Sequence, residues 1–188
     1  MCMCSQPILE TERLILRPFQ LSDAENVQKL AGDKQVASTT LNIPHPYPEV
    51  GAEEWIATHE SKYLEGKGVV YAITLKNSGE LIGCISLAIL VEHNQAELGY
   101  WVGVPYWNQG FCTEAGRTVL EYGFKTMGLN RIHASYLSRN PASGRVMEKL
   151  GMLHEGTLRQ HVLKWGVYED LGLKGILRRD WEKLTSQL

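Results

Sequence analysis

Apolar residues recur along the chain with two periods, and the change from one to the other marks the elements. Arg13-Leu14-Ile15-Leu16-Arg17 is a strand ended by Pro18. Ser22-Asp23-Ala24-Glu25 resembles an N-cap and acidic first turn, opening a helix whose apolar side carries Val27 and Leu30 and which Gly32-Asp33 ends. Val36 to Val50 shows no period and holds prolines at 44, 46 and 48, so it reads as an irregular connector. A helix is predicted from about Val50 to Leu64, with Trp55, Ile56 and Tyr63 on its buried face. Val69 to Leu75 and Leu81 to Leu90 are β-rich runs split by Asn77-Ser78-Gly79, a hairpin signal. His93-Asn94 then turns the chain into a strand over Glu97 to Val102, completing an antiparallel meander.

From Ala115 to Met127 the period becomes helical, with Val119, Leu120, Gly123, Phe124 and Met127 on one side. Arg131 to Leu137 is the next strand. Its predicted neighbour is the Glu97–Val102 strand, reached through the helix as a parallel crossover. Asn140-Pro141 opens a short helix to Leu150, with Gly151 at the position after its C-cap. Val162, Leu163 and Trp165 suggest a strand, Gly166 a turn, Tyr168 to Leu177 a last strand, and Arg179 to Leu184 a terminal helix. The sum is an α/β fold, one mixed sheet with helices on its faces. It is expected to be a single domain over 1–188, with 1–7 as a loose tail.

Composition narrows the partners. The chain has 188 residues, of which 44% are apolar and 21% charged, ordinary values for a globular protein with a sizeable core. A net charge of −2 gives no polybasic footprint for nucleic acid. No apolar run reaches the roughly 20 residues that span a bilayer. Met1 to Ser5 lacks the charged and apolar regions of a signal peptide, so a cytoplasmic location is expected, with no membrane partner. Cys2 and Cys4 form a CxC, but nothing nearby completes a tetrahedral metal set, and no metal is expected. Cys84 falls in an apolar strand and reads as core.

The chemistry concentrates between the Glu97–Val102 strand and the following helix. Trp107-Asn108-Gln109-Gly110-Phe111-Cys112-Thr113-Glu114 is a glycine-bearing turn into a helix start. The first N–H groups of such a helix lack intrahelical partners, and the helix dipole adds positive potential, a pairing that suits phosphate. Neither GxxxxGK[ST] nor a GxGxxG following a strand is present. Cys112, at the helix start, reads either as a small packing residue or as a nucleophile with a lowered thiol pKa.

The stretch Glu97-Leu98-Gly99-Tyr100-Trp101 through Tyr106-Trp107-Asn108-Gln109-Gly110-Phe111-Cys112-Thr113-Glu114-Ala115 closely resembles the acyl-CoA-binding motif of the GNAT N-acetyltransferases, and most of all their RimJ/RimL-type branch. Asn140-Pro141-Ala142-Ser143-Gly144-Arg145-Val146-Met147-Glu148-Lys149-Leu150-Gly151-Met152 resembles the branch's second signature, and Leu9 to Pro18 its opening strand. The likeness covers nearly the whole chain in the expected order. Cys112 stands where the family's loop has a second glycine or alanine.

The resemblance implies a mostly antiparallel sheet whose central parallel pair splays to admit acetyl-CoA. It implies that Trp107, Asn108, Gln109, Gly110, Phe111, Cys112 and Thr113 hold the CoA pyrophosphate, and that the backbone of Tyr100, Trp101 and Val102 pairs with the pantetheine. A backbone N–H in that stretch would serve the thioester oxygen. Asn140 would bond the pantetheine and Ser143 would donate to the leaving sulfur, although Asn140 also reads as a plain helix cap and Ser143 as a first-turn residue. Other GNAT enzymes place a tyrosine acid where this chain has Met147. Glu97 is the general-base candidate, or else a structural strand residue if the register turns it away. His161 and His133 are weaker base candidates. Arg145 and Lys149, one turn apart, meet the cofactor phosphates or are simply solvated. The loop at His45-Pro46-Tyr47-Pro48 and the helix after it would form one wall of the acceptor pocket.

The implied activity is direct acetyl transfer through a ternary complex, since no Ser or Cys nucleophile with a His partner is legible. The implied acceptor is a protein N-terminal α-amine, of the ribosomal-protein type. A small amine, such as a polyamine, amino acid or aminoglycoside-like compound, is the second reading. A non-catalytic acyl-CoA-binding domain is the third. Edge strands near the C-terminus leave both monomer and homodimer open.

Overall fold

The computed structural model describes residues 5–186. Eight strands form one sheet in the order β1-β2-β3-β4-β5-β6-β8-β7. They are β1 (Leu9–Glu10), β2 (Leu14–Pro18), β3 (Gly68–Leu75), β4 (Leu81–Leu90), β5 (Gln95–Val102), β6 (Arg131–Leu137), β7 (Leu153–Lys164) and β8 (Val167–Leu177). Every pairing is antiparallel except β5 with β6. That parallel pair is in register only at Gln95–Arg131, Ala96–Ile132 and Glu97–His133, after which the strands part. The predicted meander and parallel crossover are both present.

Two cores sit on opposite faces of the sheet. On one face, helix α5 (Phe111–Glu121) lays Phe111, Ala115, Val119 and Leu120 against Tyr71, Ile85, Leu87 and Ile132. Its period carries on through a π turn at Tyr122–Thr126, which buries Phe124 against Trp181 of the terminal helix α7 (Arg178–Thr185) with ring centroids 5.3 Å apart. Helix α6 (Pro141–Lys149) adds Met147 to this core. On the other face, α1 (Ala24–Ala31) and α3 (Gly51–Ala57) bury Val27, Ala31, Ala52 and Ile56 over Ala72 and Leu81. Cys84 is buried as expected, and burial pushes its thiol up. No helix among the described residues is long and apolar enough to cross a membrane.

Several sequence expectations need correction. The connector from Val36 begins inside a helix, α2 (Lys34–Thr39), which Asp33 caps by accepting from the Gln35 amide at 2.7 Å. The predicted helix to Leu64 is two, α3 and α4 (His59–Leu64), separated at Thr58. The Thr58 hydroxyl donates to the Trp55 carbonyl at 2.8 Å, a local bond that competes with the helix ladder. Strand β7 starts at Leu153, nine residues before the Val162 run, and its residues are exposed on both faces over most of its length. No alternation betrays such a strand. Its register breaks between Leu158 and Val162, where Gln160 takes φ +50°. Of the tail expected over 1–7, residues 1–4, including the CxC at Cys2 and Cys4, lie outside the described residues. Gln6 Nε2 donates to the Val70 carbonyl at 3.0 Å, which ties the described part of the tail to β3.

Two features carry testable weight. A Cβ at Gly83 would stand 2.3 Å from the Trp101 carbonyl oxygen and 2.9 Å from Val102 Cα, backbone atoms that cannot yield without moving β5. Gly83→Ala is expected to lower the unfolding free energy by about 1–3 kcal/mol in denaturant melts. Asp23 is the second. Its burial alone would raise its pKa, but the Arg17 guanidinium at 2.7 and 2.8 Å and the Gln20 amide at 2.8 Å hold it below the usual carboxylate range. A depressed folded-state pKa gives stability that is present above the unfolded value of about 3.9 and is lost as pH falls through the folded one. Stability measured by urea melts should therefore drop as pH falls below about 4, and Asp23→Asn should flatten that slope.

Candidate active site

The gap between β5 and β6 sets the site. The Gly103 amide donates to the Ile82 carbonyl across β4 at 2.9 Å. By the alternation of an antiparallel ladder, residues 101, 99 and 97 then also face β4, while Tyr100 and Val102 turn their N–H and C=O groups into the gap. Trp107 Nε1 takes the Val102 carbonyl at 2.8 Å. The remaining polar groups of Tyr100 and Val102 point into a cavity of about 300 Å³.

That cavity brings together most of the residues singled out in the sequence. Tyr100, Trp101, Val102, Trp107, Asn108, Gly110, Phe111, Cys112 and Thr113 line one side, and Asn140, Ser143, Arg145 and Lys149 the other. The turn into α5 places both Asn108 (φ +60°) and Gly110 (φ +82°) in the left-handed region. Gly110 adopts this conformation at no steric cost, and it leaves the amides of Phe111, Cys112 and Thr113 as the unpaired first donors of the helix. Glu114 is the first residue whose amide closes a helical bond, to the Gly110 carbonyl at 3.0 Å.

Gln109 departs from expectation, because it does not line the cavity. Its side-chain amide donates to the Pro105 carbonyl at 2.9 Å, and its own carbonyl accepts from Arg13 Nη1 at 3.1 Å, so it braces the loop from behind. Cys112 lines the cavity, yet desolvation pushes its thiol up to about 12. A desolvated thiol stays protonated near neutral pH, which favours the packing reading of Cys112 over the nucleophile reading.

A clamp that the local sequence did not announce holds this loop. Glu114 accepts from Thr11 Oγ1 at 2.6 Å, the Arg13 amide at 2.9 Å and Arg13 Nε at 2.7 Å. Burial would raise the Glu114 pKa, but these donors and the Arg13 charge hold it below the usual range. The Arg13 guanidinium also lies over the Phe111 ring, 4.6 Å from its centroid. The only signal in the sequence was the charge pattern of the opening strand, with no hint of its partner a hundred residues away.

A second cavity, of about 490 Å³, lies across the gap. Its roof is the chain from Thr39 to Pro48, and Trp55 stands in its wall. Side chains from distant elements hold this roof by its carbonyls. Arg139 Nη2 donates to Ser38 at 2.6 Å, Asn140 Nδ2 to Thr39 at 3.3 Å, and Lys164 Nζ to Leu41 at 3.3 Å. Burial, with help from the Arg139 charge, holds the Lys164 ammonium below its ordinary value. Glu97 lines this cavity and not the first, with Oε1 accepting from Ser135 Oγ at 2.8 Å. His133 and His161 line neither cavity. Met147 is buried in the floor of the second cavity, so α6 supplies no phenol there.

The two cavities share Thr39, Thr40, Tyr100, Trp101 and Ser143. The threonines were not foreseen, because they sit in the segment read as a connector. Asn140 caps α6, its Oδ1 accepting from the Ser143 amide at 3.4 Å, and it also reaches the roof, so the cap reading is correct and incomplete. Tyr100 Oη lies 2.9 Å from both Ser143 Oγ and the Ser143 carbonyl oxygen.

Residues 13–153 match the model of the acetyltransferase (GNAT) domain. The uncharacterized N-acetyltransferase YoaA of Bacillus subtilis is 34% identical, over 92% of this chain and 97% of that protein. The [ribosomal protein uS5]-alanine N-acetyltransferase of Escherichia coli is 26% identical, over 92% of each. A GNAT-family acetyltransferase from Bacillus anthracis has a crystal structure that superposes with a TM-score of 0.82 at 27% identity, covering 92% of this chain and 99% of that one. With a loop of free amides opening on a splayed parallel pair, and with these relatives matching end to end, the chain belongs to the GNAT acetyltransferases, in their RimJ/RimL-like branch.

Proposed function

We propose that the chain moves the acetyl group of acetyl-CoA directly to the α-amine of a protein N-terminus. The observation that carries this reading is the meeting of the two cavities at Tyr100 and Ser143, one lined by free helix amides and the other by a carboxylate and aromatic walls. The E. coli relative, a [ribosomal protein uS5]-alanine N-acetyltransferase, supports a protein acceptor.

In this reading the amides of Phe111, Cys112 and Thr113 hold the pyrophosphate, with Arg145 and Lys149 beside the phosphates. The inward backbone groups of Tyr100 and Val102 pair with the pantetheine amides. Asn140 keeps one amide N–H and one lone pair beyond its two bonds, and these also serve the pantetheine. The acceptor nitrogen attacks the thioester carbonyl carbon, so an N–C bond forms and the C–S bond breaks. The bond pair leaves on sulfur, which accepts a hydrogen bond from Ser143 Oγ and then takes up a proton from water. The attacking amine gives its proton to the free oxygen of Glu97 or to a water held there. An α-amine has a pKa of about 7.7–8.0, so near neutral pH that base has little to do. A backbone N–H of the Tyr100–Val102 stretch stabilises the oxyanion.

Thiol release from acetyl-CoA tests the reading on a panel of amines. Turnover is expected on peptides beginning with Ala, Ser or Met, and not on polyamines, free amino acids or aminoglycosides. Ser143→Ala should lower kcat by about 10- to 100-fold with little change in the acetyl-CoA KM. Tight acetyl-CoA binding with no turnover on any amine would instead favour a binding domain. Arg13→Ala should act on the other half of the site. By freeing the loop clamp it should weaken acetyl-CoA binding by about 10-fold in titration calorimetry, with a smaller effect on kcat.

A further inference from the structure

Ser143 Oγ can serve a leaving sulfur only while its proton points into the cavity. A serine hydroxyl rotates freely, so something must set its direction. Among the described residues its one hydrogen-bonded side-chain partner is the phenol of Tyr100, whose oxygen is 2.9 Å from Ser143 Oγ and 2.9 Å from the Ser143 carbonyl oxygen.

Two proton arrangements are open to these three oxygens, and only the first places a proton on both contacts. The carbonyl oxygen only accepts, and the phenol has one proton to give. If Tyr100 donates to the carbonyl, the serine proton turns back to the phenol oxygen and is parked. If Tyr100 donates to Ser143 Oγ, the serine proton is free to point at the cavity. The carbonyl does not then go unpaired, because Ser143 is in the first turn of α6 and its carbonyl faces the helical amide four residues on. The rest of Ser143 is fixed, since its amide is capped by Asn140 and Pro141 opens the helix. Exchange between the two arrangements requires rotation of two hydroxyl protons and no heavy-atom movement.

We propose that Tyr100 is a positioning residue that makes Ser143 a donor, its phenol O–H directed to Ser143 Oγ and the Ser143 O–H directed to the sulfur. This rests on the donor role given to Ser143 above. An arriving sulfur, itself an acceptor, selects the arrangement in which the serine proton faces it. Tyr100 keeps its own proton throughout. Burial pushes the phenol well above its ordinary value despite the opposing bond to Ser143, so it is a weaker acid than a thiol and is not the source of the proton sulfur finally takes.

The test is a double-mutant cycle on the full chain with Tyr100→Phe, Ser143→Ala and the pair together. Phenylalanine keeps the ring and its packing and removes only the hydroxyl. The coenzyme A dissociation constant and binding stoichiometry count folded sites, so kcat is read per competent molecule. Tyr100→Phe should lower kcat by about 10-fold while the coenzyme A Kd stays within about 2-fold, and the double variant should be no slower than Ser143→Ala alone. Losses that multiply in the double variant, or an unchanged kcat for Tyr100→Phe, would overturn the inference while leaving Ser143 in its role. An unchanged kcat for Ser143→Ala would overturn both.

Discussion

The parting of β5 from β6 is the constraint on which the site depends. Two parallel strands pair for three residues and then separate, which exposes the inner edge of β5. Unpaired backbone groups are costly inside a protein unless something satisfies them. One such group, the Val102 carbonyl, is taken by the Trp107 indole, and the others open on a cavity whose far wall is α6. The crossover through α5 joins the two strands that part. The same helix, starting at the mouth of the gap, brings a second set of free amides to it. A ligand with both amide and phosphate groups is complementary to that combination.

Contacts remote in sequence keep the gap in shape. On the loop side, Glu114 gathers donors from Thr11 and Arg13 and stays ionised below the usual carboxylate range. On the roof side, Arg139, Asn140 and Lys164 spend their donors on the carbonyls of Ser38, Thr39 and Leu41. Both halves rest on rigid elements, which suits a reaction that needs two substrates aligned within a fraction of an ångström. Asn140 joins the halves, capping the helix that carries Ser143 while holding the residue before Thr40.

Much of this frame was legible in the sequence because its central elements are buried on one or both faces. β3 and β4 read as continuous apolar runs because both of their faces are buried over most of their length, and the helical period from Ala115 onward follows from the one face that α5 buries. Elements without a buried face, or too short to show a period, were not legible. Strand β7 shows no alternation because solvent meets both of its sides, and α2 spans only six residues beside a proline-rich run. The same division runs through the site. Gly110, Asn140 and Ser143 stood out because a turn, a cap and a helix start have local signatures. Thr39 and Thr40 carried none.

The sequence by itself determined the order of the elements, the turn that frees the α5 amides and the cap that starts α6, since each is settled by residues within a few positions of one another. Tertiary structure decided which way the side chains serve. It turned Gln109 out of the cavity, closed Cys112 into a desolvated wall, set Glu97 in the second cavity, and brought Tyr100 to Ser143 and Arg13 to Glu114. These are contacts between residues far apart in the chain. Their partners are chosen by how the sheet stacks and splays, a property of the packed whole that no local window contains.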